Sequence, residues 1–322
     1  KDGQDLIKKL LVDCDILVEN FKTGTLDKYG LGYKDLKSMF PRLIYCSITG
    51  FGQTGPYAAR PGYDGLIQAM GGVMSLTGAP EGEPTKVGVP IGDLMAGMFA
   101  SVGILAAVRH QMTTGKGQFI DIGMLDTHVA WLANQGMNYL STNKNPDRLG
   151  NQHPNIVPYQ VMPTSDGYIV LSIGNDPTFE RFCKLTGEDQ LINDPKFKTN
   201  ADRVSNRDFV TNTLNEITQK KSSKWWLTEL EKHKIGCGPI NTLSEVFSDP
   251  HVKAREMVIE MEHEKTGKSP LKLIANPIKM EETPPSYRIP PPLLGEHTDQ
   301  ILSDNLGLSQ DEINILKQKG II

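Results

Sequence analysis

An α/β domain followed by a smaller α+β domain is what this sequence predicts, and three observations carry that reading. Two short apolar runs rich in β-branched residues, Asp15–Phe21 (DILVENF) and Arg42–Gly52 (RLIYCSITGFG), lie next to helical spacing, which is the pattern of buried parallel strands. A turn and a third strand follow at Thr114–Met124 (TGKGQFIDIGM), then a helix from about Asp126 that carries Trp131 and Tyr139. At Gly150–Tyr159 (GNQHPNIVPY) the composition changes. Beyond it, Met162–Gly174 reads as a hairpin turning at Asp166 and Gly167, with helices around Phe179–Leu185, Asp208–Gln219 and Lys224–His233.

These readings divide the chain into a first domain over 1–150, a small α+β domain over 151–250, and a connector with a C-terminal segment over 251–322 that returns to the first domain. The proline-rich run Ala275–His297 is expected to be extended. Ser309 and Glu312 have capping-box spacing ahead of an amphipathic helix that ends at Gly320.

With 322 residues, 38% hydrophobic and 22% charged, the chain can bury a sizeable core. A net charge of −4 without any Lys/Arg block argues against a nucleic-acid binder and against a basic membrane-surface helix. Anionic ligands must therefore find local cations. The four cysteines, Cys14, Cys46, Cys183 and Cys237, form no C-x-x-C pair and no zinc spacing, so a reducing compartment fits and no metal site is expected. The most apolar stretch, Leu94–Val108, is shorter than the roughly 20 residues of a membrane crossing and reads as a buried helix. GGVMSLTG (Gly71–Gly78) is not a dinucleotide fingerprint, TGKGQ lacks P-loop spacing, and no G-x-S-x-G elbow occurs. The chain opens in mid-helix with KDGQDLIKKLL, as though a segment preceded it.

One carboxylate stands out. Asp93 heads a helix of small and apolar residues in VPIGDLMAGM (Val89–Met98), where spacing alone reads it as the helix N-cap. A chemical reading is compatible with that one. Amide donors and the helix dipole favour the charged form, an ionised carboxylate is a nucleophile, and Gly92 leaves room for a ligand to approach. First-turn amides would also serve an oxyanion. Asp121 and Asp126 are rival carboxylates with structural readings as an edge residue and a cap. Among seven histidines, His153, in a loop with Pro154 and Asn155, is the one candidate, against a turn-capping role; His128 reads as a surface or packing residue.

Five separated segments now add up to a resemblance: VENFKTGTLDKYGLGY, GFGQTGPYAARPGYDGLIQAMGG, GVPIGDLMAGMFASVGILAAVRHQMTTGKGQFIDIGMLD, GNQHPNIVPYQ and PLLGEH. Their order resembles that of the class III CoA-transferases, the formyl-CoA transferase and carnitine CoA-transferase type, over essentially the whole chain. The resemblance implies a Rossmann-like large domain with a smaller domain, an interlocked homodimer, and coenzyme A as co-substrate without a permanent cofactor or metal. Asp93 falls at the nucleophile of the family's G-D-L-x-A-G motif; Asn20, Phe21, Lys28 and Tyr29 match CoA contacts. Tyr63 and Asp64 match residues lining the acyl site, and the His153–Tyr159 loop matches one that covers it; Gly92, with its room for a ligand, is counted with the substrate-binding residues. Similarity within the family points to CoA transfer from a succinyl-CoA type donor to another dicarboxylic acid, of hydroxymethylglutarate or glutarate type, through aspartyl anhydride and aspartyl-CoA thioester intermediates. It also implies a mitochondrial location and no nucleic-acid or membrane partner.

A dicarboxylate's far end needs a cation, for which Arg60, Lys86 and Arg148 are candidates against surface roles. Family members begin with a further strand-helix-strand unit, expected to supply additional CoA contacts and not seen in this sequence. The alternatives are an acyl-CoA racemase of the same superfamily and a CoA-binding protein that has lost the chemistry. Racemases place a histidine where Tyr63 stands, and a phenol is a poor base at neutral pH.

Overall fold

The computed structural model describes residues 1–267 and 269–322. The chain forms two compact units, Lys1–Gly150 with His297–Ile322, and Asn151–Glu296. The stretch 251–322 is thus shared between them, its proline-rich part lying in the second unit.

In the first unit, strands β1 (Ile16–Glu19), β2 (Ile44–Thr49) and β3 (Phe119–Gly123) form a parallel sheet in the order β1-β2-β3. The registers Glu19↔Ser47 and Thr49↔Gly123 bring the three carboxyl ends together. Central β2 is buried on both faces, which is why its sequence is a continuous apolar run rather than an alternating one. Helices α1 (Asp2–Leu10), α2 (Tyr33–Leu36), α3 (Asp64–Met70), α4 (Val73–Leu76), α5 (Ile91–Thr114), α6 (Met124–Ala130) and α7 (Ala133–Thr142) complete this part. The single helix expected from about Asp126 is two: α6 starts at Met124, and Ala133, at φ 48°, interrupts the right-handed path.

Helix α5 decides how the sheet is covered. It has 24 residues and is long and apolar enough for a membrane crossing. In the fold it packs on β2 and β3, and the buried stripe is Gly92, Ala96, Ala100, Ala107 and Gln111. Small residues let the helix backbone come close to the sheet. Gln111 pins the far end by donating to the Arg42 carbonyl at 2.7 Å. The expected buried helix is therefore buried on one side only, because its larger residues, Leu94, Met98, Val102 and Leu105, point away and are exposed.

The second unit has the predicted hairpin, β4 (Tyr159–Pro163) and β5 (Tyr168–Ser172), joined by β6 (Gly236–Pro239). Helices α8 (Asp176–Thr186), α9 (Asn200–Ser205), α10 (Arg207–Thr218) and α11 (Ser223–Lys232) pack on it around Phe179, Phe182, Trp226 and Leu230. Asn175, Thr199 and Ser222 cap three of these helices with their side chains. Arg203, fully buried, donates to the Val157 and Phe197 carbonyls at 2.7 Å each and to Asp176 at 2.8 Å. Short helices α12 (Leu243–Ser248) and α13 (Pro250–Ala254) lead to an antiparallel pair, β7 (Val258–Met261) and β8 (Leu271–Ile274), that the sequence reading missed. The last two helices, α14 (Thr298–Leu306) and α15 (Gln310–Gln318), belong to the first unit, and Ser309 and Glu312 form the capping box.

Candidate active site

The carboxyl ends of β1 and β2 open onto a cleft of about 510 Å³ in the first unit. In an open parallel sheet this is where ligands bind, since the strand-end loops diverge there. Asn20 and Phe21 come from the loop after β1, Thr49 and Gly50 from the end of β2, Arg60 and Tyr63 from the following loop, and Asp93 from the first turn of α5. The loop closes where Gly50 and Gly62 meet backbone to backbone; a side chain on either would collide with the other. A second chamber of about 380 Å³ shares Lys22 and Thr23 with the cleft and runs past Leu26, Asp27 and Lys34.

Asp93 is not the N-cap. Pro90 holds that position, and Asp93 is the third helical residue, with its side chain open to the cleft. Burial by its surroundings, then the nearby charge of Asp64, raises its pKa above the ordinary carboxylate value. Desolvation and a like charge both disfavour the anion, so they outweigh the helix-end effect expected from sequence. The side chain itself stays exposed to the cleft, so the anion is disfavoured relative to an ordinary aspartate but remains accessible to a ligand.

Asp64 does not line the cleft. Its Oδ1 accepts from the Gly92 amide at 2.8 Å and its Oδ2 from Gln68 Nε2 at 2.8 Å. Gln68 in turn accepts from the Val87 amide at 2.8 Å, so one chain of hydrogen bonds ties the start of α3 to the segment leading into α5. The Gly92 amide is thereby committed and is not an oxyanion donor. Gly92 is buried, and a side chain there would press on Asp64 and on the imidazole of His128. His128 is fully buried in the packing, and neither ring nitrogen has a partner among the described residues. Burial lowers its pKa, with Asp64 opposing, so the ring that supports the Gly92 turn is held toward its neutral form.

Lys28 and Tyr29 sit on the exposed helical turn Asp27–Tyr29, next to Leu26 and Asp27 of the second chamber but outside its lining. His153 lies in the second unit, stacked on Tyr159 at 5.2 Å, and its Nδ1 accepts from the Asn155 amide at 3.1 Å. Arg207 donates to the carbonyls of His153 and Pro154 and holds that loop. Asp121 accepts from the Gln53 amide at 2.9 Å and fixes the loop after β2, a structural role for that rival carboxylate. Sequence reasoning missed Gln68, for which the spacing of four from Asp64 is the one local signal; His128 takes the packing role, not the surface role, of the two read for it.

A parallel sheet with a strand-end cleft and a carboxylate on a helix start is the architecture of an α/β enzyme that binds its ligand at the strand ends. The chain belongs to CoA-transferase family III, whose model matches residues 1–298. It is 44% identical over 303 residues to a succinate–glutarate CoA-transferase of Agrobacterium fabrum, covering 94% of this chain and 75% of that protein. It is 40% identical over 320 residues to the human succinyl-CoA:glutarate CoA-transferase, covering 99% and 73%. The fold matches the crystal structure of a CaiB/BaiF family protein from Brucella suis with a TM-score of 0.82 at 44% identity, over 95% of this chain and 79% of that one.

Proposed function

We propose that this enzyme moves coenzyme A from a dicarboxylyl thioester such as succinyl-CoA to a second dicarboxylic acid, of glutarate or hydroxymethylglutarate type, with Asp93 as nucleophile. The observation that carries the reading is the placement of Asp93 on the cleft shared by the loops after β1 and β2. The names of the Agrobacterium and human relatives support the substrate class.

An Asp93 oxygen attacks the thioester carbonyl, the carbon–sulfur bond breaks, and the CoA thiolate leaves behind a mixed anhydride. The thiolate then attacks the aspartyl carbonyl, giving an enzyme–CoA thioester and releasing the first acid as its carboxylate. The incoming carboxylate attacks that thioester, and the same steps run in reverse. Atoms and charge balance at each stage, and one difficult exchange becomes several easier ones. The cleft and the second chamber give the acyl end and the CoA arm separate rooms joined at Lys22 and Thr23. Asn20 and Phe21 would touch the arm near the reacting sulfur, with Lys28 and Tyr29 beyond it on the outer turn. Tyr63 would flank the acyl group, while Asp64 and Gly92 position the nucleophile. A homodimer belongs to this reading, supported by the exposed apolar side of α5.

Incubation with succinyl-CoA and hydroxylamine, followed by peptide mass spectrometry, tests the nucleophile. A hydroxamate at Asp93 that needs the thioester is expected. Near wild-type transfer by Asp93→Asn would overturn the assignment.

A further inference from the structure

The cleft holds a cation with nothing of its own to bind. Of the three candidates raised by sequence, Arg148 spends its guanidinium on the Ala79 and Gly82 carbonyls, at 3.3 and 2.6 Å, and Lys86 lies outside the cleft lining. Arg60 lines the cleft with Asp93 and has neither an ion pair nor a side-chain hydrogen bond among the described residues. Its guanidinium carbon sits 4.0 Å from the centre of the Tyr57 ring. A guanidinium stacked on an aromatic face is fixed in orientation while its N–H donors, which lie in its plane, stay free to take a carboxylate through two parallel bonds.

The stack is anchored. Tyr57 meets Phe51 edge-on at 5.6 Å and 73°, and Phe51 is buried against Ile67, Ala96 and Met124. Ala96 lies on α5 one turn beyond Asp93, so Arg60 and the nucleophile are referenced to the same helix. The Arg60 amide also donates to the Tyr57 carbonyl at 2.8 Å, which closes a tight turn under the stack. Lys22, the other cation of the cleft, stands where the second chamber begins, the side assigned above to the CoA arm.

From this geometry we infer that Arg60 binds the distal carboxylate of the acid whose near carboxyl reacts at Asp93, and that Tyr57 is the positioning residue that holds it there. The inference rests on the function proposed above and adds the element that selects dicarboxylates. A cation stacked at that place favours acids whose far carboxylate reaches it.

The test uses the full-length enzyme with succinyl-CoA as donor and compares glutarate with pentanoate, its single-ended analogue, as acceptors. Any effect on the donor cancels in the ratio of the two kcat/KM values; where pentanoate turns over too slowly, the ratio of inhibition constants serves instead. Arg60→Gln should lower the preference for glutarate about 10- to 100-fold, the range for a charge-assisted hydrogen-bonded pair. Tyr57→Leu should lower it about 2- to 5-fold through the lost stack, and Tyr57→Phe should restore it. An unchanged ratio in Arg60→Gln, with Asp93 still trapped by hydroxylamine, would overturn the clamp alone. Absence of the Asp93 hydroxamate in the wild type would remove the function beneath it as well.

Discussion

At the scale of single residues, the state of Asp93 follows from its neighbours. Burial and the Asp64 charge raise its pKa above the ordinary 3.8, and the attacking form is the anion. Transfer should therefore rise with pH through the ionisation of Asp93, on a limb lying above that of an ordinary aspartate. Asp64→Asn keeps an oxygen acceptor for the Gly92 amide and removes the like charge, so the limb should move to lower pH while the burial contribution remains. A pH profile of kcat/KM for both proteins checks this. Stability should show the opposite face of the same shift. A carboxyl whose folded pKa is raised contributes stability that is complete below its unfolded pKa and lost as pH rises through the folded value. Asp93→Asn, inactive in transfer, should then be slightly more stable than the wild type at neutral pH, a gain kept small by the exposure of the side chain and vanishing in urea titrations at pH below about 3.8. A loss of stability at neutral pH would contradict the raised pKa.

At the scale of elements, local sequence specified much and long-range contacts specified the rest. The runs Asp15–Phe21 and Arg42–Gly52 yielded β1 and β2 because a strand buried on both faces must be apolar throughout. The capping box at Ser309 and Glu312 was equally legible, since its partners are three residues apart. The pair β7 and β8 was not: each strand has four residues, too few for a clear period, and they lie beside a proline-rich run. Arg203 shows the same limit. Its spacing on α9 marks nothing, yet the fold buries it whole and gives it three acceptors. Arg203→Met should cost the second unit about 2–4 kcal/mol, because the Val157 and Phe197 carbonyls would be left without their donor. Chemical denaturation followed by tryptophan fluorescence reads this directly, as Trp226 lies in that core.

For the molecule as a whole, an apolar surface is the feature that remains. Leu94, Met98, Val102 and Leu105 follow one another at spacings of a single helical face and are 51–69% exposed. A row of this kind on a folded unit marks an association surface. In the proposed homodimer it is covered. Sedimentation should find a dimer for the wild-type enzyme, and Leu105→Glu should shift it toward monomer; a wild-type monomer at micromolar concentration would remove the dimer from the proposal.

By itself the sequence determined the secondary elements with a clear period, the parallel α/β character of the first unit, and the motifs that resemble CoA-transferase family III, Asp93 among them. Each of these depends on neighbours within a few positions, which a linear reading registers. Tertiary structure alone decided what stands around that aspartate. Asp64 reaches Gly92 across 28 positions of chain, Val87 reaches Gln68 across 19, and His128 packs against Gly92. It likewise separated Arg60 from Lys86 and Arg148, three cations alike in the sequence. Only the closing of the loop at Gly50 and Gly62, and the stacking of that side chain on an anchored ring, turn one of them toward the nucleophile's cleft.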